Sequence, residues 1–408
     1  MLLGKERSKK GLAVIKLVIL GAGVYQVPLI KKSKELGHYT IVVSPNGNYP
    51  GIGLADEHWA LDTRDVSSIL EKAKEAKISG ITTTGTDVAV PAIGAVNDAL
   101  GLSGPCFDTS EKCMNKGLMK AALSNANIAT AKYQAVSNFE DAILAVNTIG
   151  YPVMVKATDS SGSRGITKVN SEAELTDAWA SAKSVTQDIY VIIEEYLEGI
   201  EFGGQAIIFE QSLVDFIPHN DTVTPPPYCV PFGHSVPINL PNDVIQKTKE
   251  LISDTISALG LNNCIANVDF MLVGKKPYII EIGARMGATG LAENVSLYTG
   301  KDSYESVIEL CLGKYTQSQS SFSQPNAALL LRSDRSGRVS SINIPKEVCE
   351  HPNLKSLVID VVVGDYVKAF KVGPDRIGHV VTVGETVTEA EELAYKLTQL
   401  INIEINPH

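Results

Sequence analysis

An apolar run, VIKLVIL at 14–20, stops at a glycine-rich turn and gives way to a helical pattern ending near Leu36. The alternation returns with TIVV (40–43) and a helix near 66–76, then with GITTT (80–84) and a helix near 87–100. Strands separated by whole helices cannot be hairpin partners, so the pattern predicts a parallel sheet with helices on both faces. Residues 1–108 are accordingly expected to form an α/β domain.

From residue 109 the rhythm changes. A helix near 115–125 leads to AKYQAV, a helix near 138–147, YPVMVKA (151–157), the turn SSGSRG, ITKV, a helix near 171–184 and IYVIIEEYL (189–197). This predicts a small α+β unit with strands around a glycine-rich turn. EFGGQAIIF (201–209), a proline-rich loop (224–237) and a helix near 241–260 follow. Polar TQSQSSFSQPN (316–326) suggests divisions at 109–317 and 318–408, the last an α+β segment ending in a helix near 387–401.

NVDFMLVGKKPYIIEIG (267–283) reads as an antiparallel hairpin around Gly274, Lys275 and Lys276. If the turn centres on Lys275, Asp269 and Glu281 lie directly opposite each other. Opposed residues share a face, with Cβ atoms about 4.5–5.5 Å apart, and like charges there are destabilising. A cation is therefore expected between them. Mg²⁺ suits such a pair, taking one or two carboxylates and completing its shell with water and phosphate oxygens. Arg285, four residues after Glu281 in GARMGATG, can hold a transferring phosphoryl group or an acyl-phosphate oxygen. The plainer alternative is a charge network within the core.

The other candidates are weaker alone. GAGVYQ, from Gly21, has Gln26 where a dinucleotide fingerprint needs its third glycine, and no acid follows the second strand, so a tight βα turn is favoured over an NAD site. SSGSRG (160–165) lies between strands, unlike a Walker A loop, yet its backbone N–H groups can approach phosphates. Lys156, in an apolar run beside that turn, is expensive to bury unless it meets an anion. Glu194, Glu195 and Leu197 end a strand, with Glu201 four residues further on. His234, in FGHSVP, either caps the proline-rich loop or meets substrate.

Composition excludes several partners. The net charge is −10, with no basic tract beyond GKERSKKG, so nucleic acid is not expected. Six cysteines, at 106, 113, 229, 264, 311 and 349, show no metal-ligand spacing and read as core thiols in a reducing compartment. No segment approaches the roughly 20 apolar residues that span a bilayer, and no signal peptide is recognisable. A cytoplasmic protein with no membrane partner is expected.

Taken in order, Lys116, Lys156, SSGSRG, EEYLEGIE, Asp269, Glu281 and Arg285 resemble the site motifs of ATP-grasp carboxylate–amine ligases. Within that superfamily the chain is similar to the branch of phosphoribosylglycinamide synthetase-like, carbamoyl-phosphate-synthase-like and L-amino-acid ligase proteins. The resemblance runs from the N-terminal α/β domain to PDRIGHVVTVGETVTEAEELA (374–394). It implies a pre-ATP-grasp parallel-sheet domain, then an ATP-grasp fold with a lid at about 127–197, which residues 318–408 complete.

The resemblance also implies ATP as cofactor, with Mg²⁺ (or Mn²⁺ in its place), and small-molecule carboxylate and amine substrates joined through an acyl phosphate with release of ADP. A homodimer is compatible with it. By motif position, Lys116 and Lys156 would contact the α/β-phosphates, and Ser160, Ser161, Gly162, Ser163 and Gly165 would form the lid's glycine loop. Glu194, Glu195 and Leu197 would form the adenine hinge, the last two through backbone groups, and Glu201 would bind the ribose. Asp269 and Glu281 would be the metal ligands, and Arg285 would face the γ-phosphate and acyl phosphate. The family's Glu-x-Asn-x-Arg pattern is broken at Gly283, which removes one ligand oxygen. Three rivals stay open: an ATP-dependent carboxylase or carbamoyl-phosphate-type enzyme, a non-catalytic ATP-binding module, and a nucleotide-dependent oxidoreductase. A biotin-dependent carboxylase is disfavoured, because no biotinyl-lysine motif occurs.

Overall fold

The computed structural model describes residues 14–160, 164–225, 230–317 and 323–406. Strands β1 (Lys16–Leu20), β2 (Tyr39–Ser44), β3 (Glu57–Ala60) and β4 (Gly80–Thr82) form a parallel sheet in the order β3-β2-β1-β4. Helices Val27–Glu35, Val66–Ala76 and Val90–Leu100 separate these strands or follow them. Val18, Leu20, Ile41 and Val43 pack into one core, and Leu17, Ile19 and Val42 into another. Burial on both faces explains why these strands are continuous apolar runs rather than alternating ones. Short β3 was not legible beforehand, since EHWA buries only its tryptophan.

The small unit is a four-stranded antiparallel sheet of β5 (Tyr133–Val136), β6 (Val153–Ala157), β7 (Ile166–Val169) and β8 (Val191–Glu195), ordered β5-β8-β6-β7. Ala142, Val146, Leu175 and Ala178, on its two helices, pack against Val153, Val155 and Ile193.

The remaining strands are β9 (Ile200–Phe209), β10 (Ser212–Val223), β11 (Pro231–Val236), β12 (Cys264–Val273), β13 (Lys276–Gly283), β14 (Asn326–Leu331), β15 (Gly337–Asn343), β16 (Leu354–Ile359), β17 (Tyr366–Val367), β18 (Gly378–Val383) and β19 (Asn402–Asn406). Eight of them make one antiparallel sheet, β13-β12-β9-β10-β11-β14-β18-β16, and β17-β15-β19 make a small one. In β9 and β12 the side chains alternate by period two. Phe202, Ala206, Ile208, Val268 and Phe270 pack on Val244, Ile252 and Ile256 of helix Asn242–Leu259. Glu201, Gly203, Gln205, Asn267 and Asp269 therefore share the opposite face.

Two expectations are corrected here. The proline-rich stretch is not all loop, because Pro231–Val236 forms β11 between β10 and β14. Its first proline stands at the strand start, where a missing N–H costs little. The long strand β10 was not foreseen either. Its turn from β9 places Glu210 and Gln211 at φ +50° and +60°, conformations normally announced by Asn or Gly. Asn263 and Asn262 accept the N–H groups of these two residues at 2.8 and 3.0 Å, which fixes the turn from outside. No described helix is long and apolar enough to cross a membrane.

Candidate active site

The hairpin brings Asp269 opposite Glu281, by a different route from the one expected. The turn is centred between Gly274 and Lys275, not on Lys275, since Val273 pairs with Lys276 and Phe270 with Ile279. Gly274 has φ +62°, fitting a two-residue turn with glycine first. That register alone would set residue 280 against Asp269. The pairing shifts between Asp269 and Phe270, so Ile280 is the extra residue and Glu281 faces Asp269. A bulge of this kind re-aims one side chain.

The row continues across the sheet. Asp269 pairs with Gly203 on β9, which pairs with His219 on β10, and Asp221 pairs with His234 on β11. Directly opposed residues share a face. Gly203 is required there, because a Cβ would overlap the His219 ring. Asp221 Oδ1 accepts from His219 Nδ1 at 2.8 Å and from His234 Nδ1 at 2.5 Å. Burial works to raise the Asp221 carboxyl, but the two imidazoles hold it far below the usual range. The Gln205 amide nitrogen donates to Asn267 Oδ1 at 2.6 Å and lies 3.2 Å from His219 Nε2. Gln205 Oε1 accepts from Gly287 N at 2.9 Å, fixing the amide's orientation.

Asp269 is pushed well above the carboxylate range by burial and by Glu281, Asp221 and Glu201. Burial, then Asp221, likewise raises Glu201. A face this rich in acid is unfavourable unless cations join it. One is Lys116, whose Nζ donates to Glu281 Oε1 and to the Ser160 carbonyl, both at 2.8 Å. Lys116 opens a helix, Lys116–Asn125, capped by the Asn115 side chain on Gly117 N and Leu118 N. Burial works against its charge, yet Glu281 leaves the ammonium raised overall.

Lys156 is buried, and it meets its anion inside the protein. Glu194 Oε1 pairs with Lys156, and Glu194 Oε2 lies 2.7 Å from Lys120 Nζ. Lys120, Glu194 and Lys156 are 1%, 2% and 6% exposed, so this is an interior triad. Both lysines outweigh burial and keep Glu194 below its ordinary value. The Glu194 carboxylate is thus committed to lysines. Glu195 donates its N–H to Lys132 O at 2.8 Å, which ties the end of β8 to the start of β5. Leu197 lies beyond the last paired residue of β8.

Ser160 Oγ donates to Arg164 O at 2.6 Å, and Gly165 takes φ +67° where the chain turns into β7. Ser161, Gly162 and Ser163 lie outside the described residues. His234 is neither exposed nor a loop cap, since it is 6% exposed within β11. Arg285 does not point freely into the site. Its Nη2 lies 2.7 Å from Asp87 Oδ2, and its buried Nε has no hydrogen-bond partner among the described residues.

Sequence reasoning missed Lys120, Asp87, His219, Asp221, Gln205 and Asn267. Lys120 had a local signal, four residues after Lys116 and so on the same helix face. Gln205, a lone amide within GGQAIIF, had another. Asp87 had none, because its partner is distant in the chain.

The comparisons agree with this geometry. Residues 113–289 match the ATP-grasp domain, and residues 329–406 match the L-amino acid ligase C-terminal domain 2. The crystal structure of phosphoribosylglycinamide synthetase from Anaerococcus prevotii is 30% identical, with TM-score 0.82 over 96% of this chain and 100% of that one. The L-amino acid ligase from Bacillus licheniformis, at 18% identity and TM-score 0.81, shares the fold over 96% of this chain and 99% of its own. The formate-dependent phosphoribosylglycinamide formyltransferase of Methanocaldococcus jannaschii is 24% identical over 411 residues, 96% of this chain and 97% of that one. The class is defined by a parallel-sheet domain followed by an ATP-grasp fold. The chain belongs to the ATP-grasp carboxylate–amine ligases, ADP-forming enzymes that join a carboxylate to an amine through an acyl phosphate and use ATP with a divalent metal. The oxidoreductase and non-catalytic readings fall with that assignment.

Proposed function

We propose that the acidic face of the large sheet is the ligase centre, and that the amine it uses is an amino acid. The observation carrying this reading is the opposition of Asp269 and Glu281, with Lys116 on one side of the pair. The donors are all oxygens, and the raised Asp269 signals a place that wants positive charge, which fits Mg²⁺ or Mn²⁺. Asp269 and Glu281 would hold that ion. Lys116 and Lys156 would meet the α/β-phosphates under the lid loop of Ser160–Gly165, including Ser161, Gly162 and Ser163. Glu194, Glu195 and Leu197 would border the adenine, and Glu201 would take the ribose.

Bound MgATP supplies the phosphoryl group that activates the carboxylate. The chain's own contribution is positioning and charge neutralisation. Lys116 restrains Glu281 and draws the Ser160 carbonyl toward the site. Arg285 stabilises charge on the transferring group. The sheet β5–β8 acts as a lid excluding the water that would hydrolyse an acyl phosphate. His234, fixed through Nδ1 by Asp221, orients substrate. The amino-acid reading is supported by the match over 329–406, which begins in β14 at Leu329, the residue paired with Gly233 beside His234 on β11. We also propose a cytoplasmic location.

The test is ADP release by the purified protein with MgATP and pairs of L-amino acids, beside an arm with formate and phosphoribosylglycinamide. Stimulation by amino acids, abolished by Glu281→Gln with ATP still bound, is the expected result. Stimulation in the formate arm alone would overturn the amino-acid assignment. Turnover by Glu281→Gln within a few-fold of the parent would overturn the metal site.

A further inference from the structure

Gly283 stands two residues beyond Glu281 in β13 and so projects to the same face. A Cβ built on it would lie 2.6 Å from Asp87 Oδ1, a distance real Cβ atoms do not tolerate. Asp87 comes from the other side of the site, in the segment after β4 of the parallel-sheet domain. Its second oxygen, Oδ2, takes Arg285 Nη2 at 2.7 Å. One carboxylate is thus seated where a residue-283 side chain would be, and grips the arginine two positions further on.

The segment carrying Asp87 is stitched to the same stretch. Gly85 N donates to Met286 O at 3.0 Å, and Thr84 forms a parallel bridge with Met286. Arg285 itself has few other restraints. Nη1 reaches Met286 O only at 3.5 Å, and Nε is buried without an acceptor among the described residues. Asp87 therefore sets the direction of the guanidinium and leaves the Nε–H for an incoming oxyanion. A donor aimed before charge develops costs no reorganisation during the reaction.

We infer that Asp87 is a positioning residue that aims Arg285 at the transferring group, and that Gly283 is the seat that admits it. This rests on the reading that Arg285 acts on that group. Asp87 is the tip of a movable side chain, so a methyl group at 283 should rotate its carboxylate away rather than unfold the hairpin. Gly283→Ala and Asp87→Ala should then produce one and the same defect.

The experiment is a double-mutant cycle of Gly283→Ala and Asp87→Ala, with two readouts and a melting curve to confirm folding. The first readout is steady-state ADP release with MgATP and the stimulating carboxylate. Each single variant should lose roughly 10- to 100-fold in kcat, less than the roughly 100- to 1,000-fold for deleting a stabilising donor outright, with KM for ATP nearly unchanged. The double variant should lose no more than either single. Asp87→Asn, which keeps an acceptor for Nη2, should recover part of the rate. The second readout is the rate at which phenylglyoxal labels Arg285 in the intact protein, followed by mass spectrometry. Labelling should quicken equally in both singles and in the double. Additive losses in kcat, equal labelling in all four proteins, or quicker labelling with kcat intact would overturn the inference. If the native protein releases no ADP with any carboxylate, the catalytic reading fails, while the labelling cycle still decides whether Gly283 seats Asp87.

Discussion

Lys116 Nζ lies 2.8 Å from Glu281 Oε1, joining a helix N-terminus to a hairpin strand 165 residues later. The ammonium offsets one of two opposed carboxylates and leaves Asp269 without a comparable partner. Lys116→Met should destabilise the metal-free protein by about 1.5–3 kcal/mol, the usual range for losing a hydrogen bond to a charged group. Part of that loss should return when Mg²⁺ is added. Thermal melts with EDTA and with Mg²⁺ check it, and a loss unaffected by the cation would separate Lys116 from the acidic pair.

The buried triad makes an unequal prediction for its members. Glu194→Gln leaves Lys120 and Lys156 facing each other without an anion, and breaking a buried pair typically costs about 3–5 kcal/mol. Lys156→Met leaves Glu194 paired with Lys120 and should cost less. Urea unfolding of both variants gives the order. If Lys156→Met proved the worse, the triad would not be the organising feature of this interior.

Gly203→Ala places a methyl group against the His219 ring. Overpacking of this kind typically costs about 1–3 kcal/mol. Displacing His219 also loosens its bond to Asp221, so ADP release should fall by more than the stability change explains. An unchanged melting temperature would show that the ring moves aside freely.

His379, on β18, is 3% exposed, and neither ring nitrogen has a hydrogen-bond partner among the described residues. Burial, aided by Arg376 and opposed by Asp360, pushes its pKa down to about 4. Tyr25, Tyr304 and Glu293 line the same small cavity. The unfolded chain takes up the proton first, so stability is full above about pH 6.5 and falls as pH drops toward 4. At about 1.4 kcal/mol per unit, the loss is roughly 3 kcal/mol at most. Denaturation curves from pH 7 to pH 4 should show this slope in the native protein and a flatter one in His379→Leu.

The parallel-sheet domain was legible because its strands are buried on both faces, and continuous apolar runs between helices fit few architectures besides a covered parallel sheet. The acidic pair was legible because alternation places residues on faces. Its mechanism was not: the bulge at Ile280 and the two-residue turn cancel, so a wrong centre gave the right partner. Strand β10 escaped because side chains outside the hairpin hold its turn. Asp87 and the Glu194 triad escaped for a related reason, since ion pairs between distant segments leave no period or spacing in a single chain.

The eight-stranded sheet passes from β11 to β14 without interruption, although a polar stretch in the chain suggested a division between them. A protein cut at 317 would keep the acidic face but lose the neighbour of β11, leaving a row of backbone donors and acceptors open to any passing strand. Such a fragment should stick to copies of itself. The last ninety or so residues therefore act partly as a guard against self-association, and mutations that loosen them should show first as poor solubility, before any change in nucleotide binding.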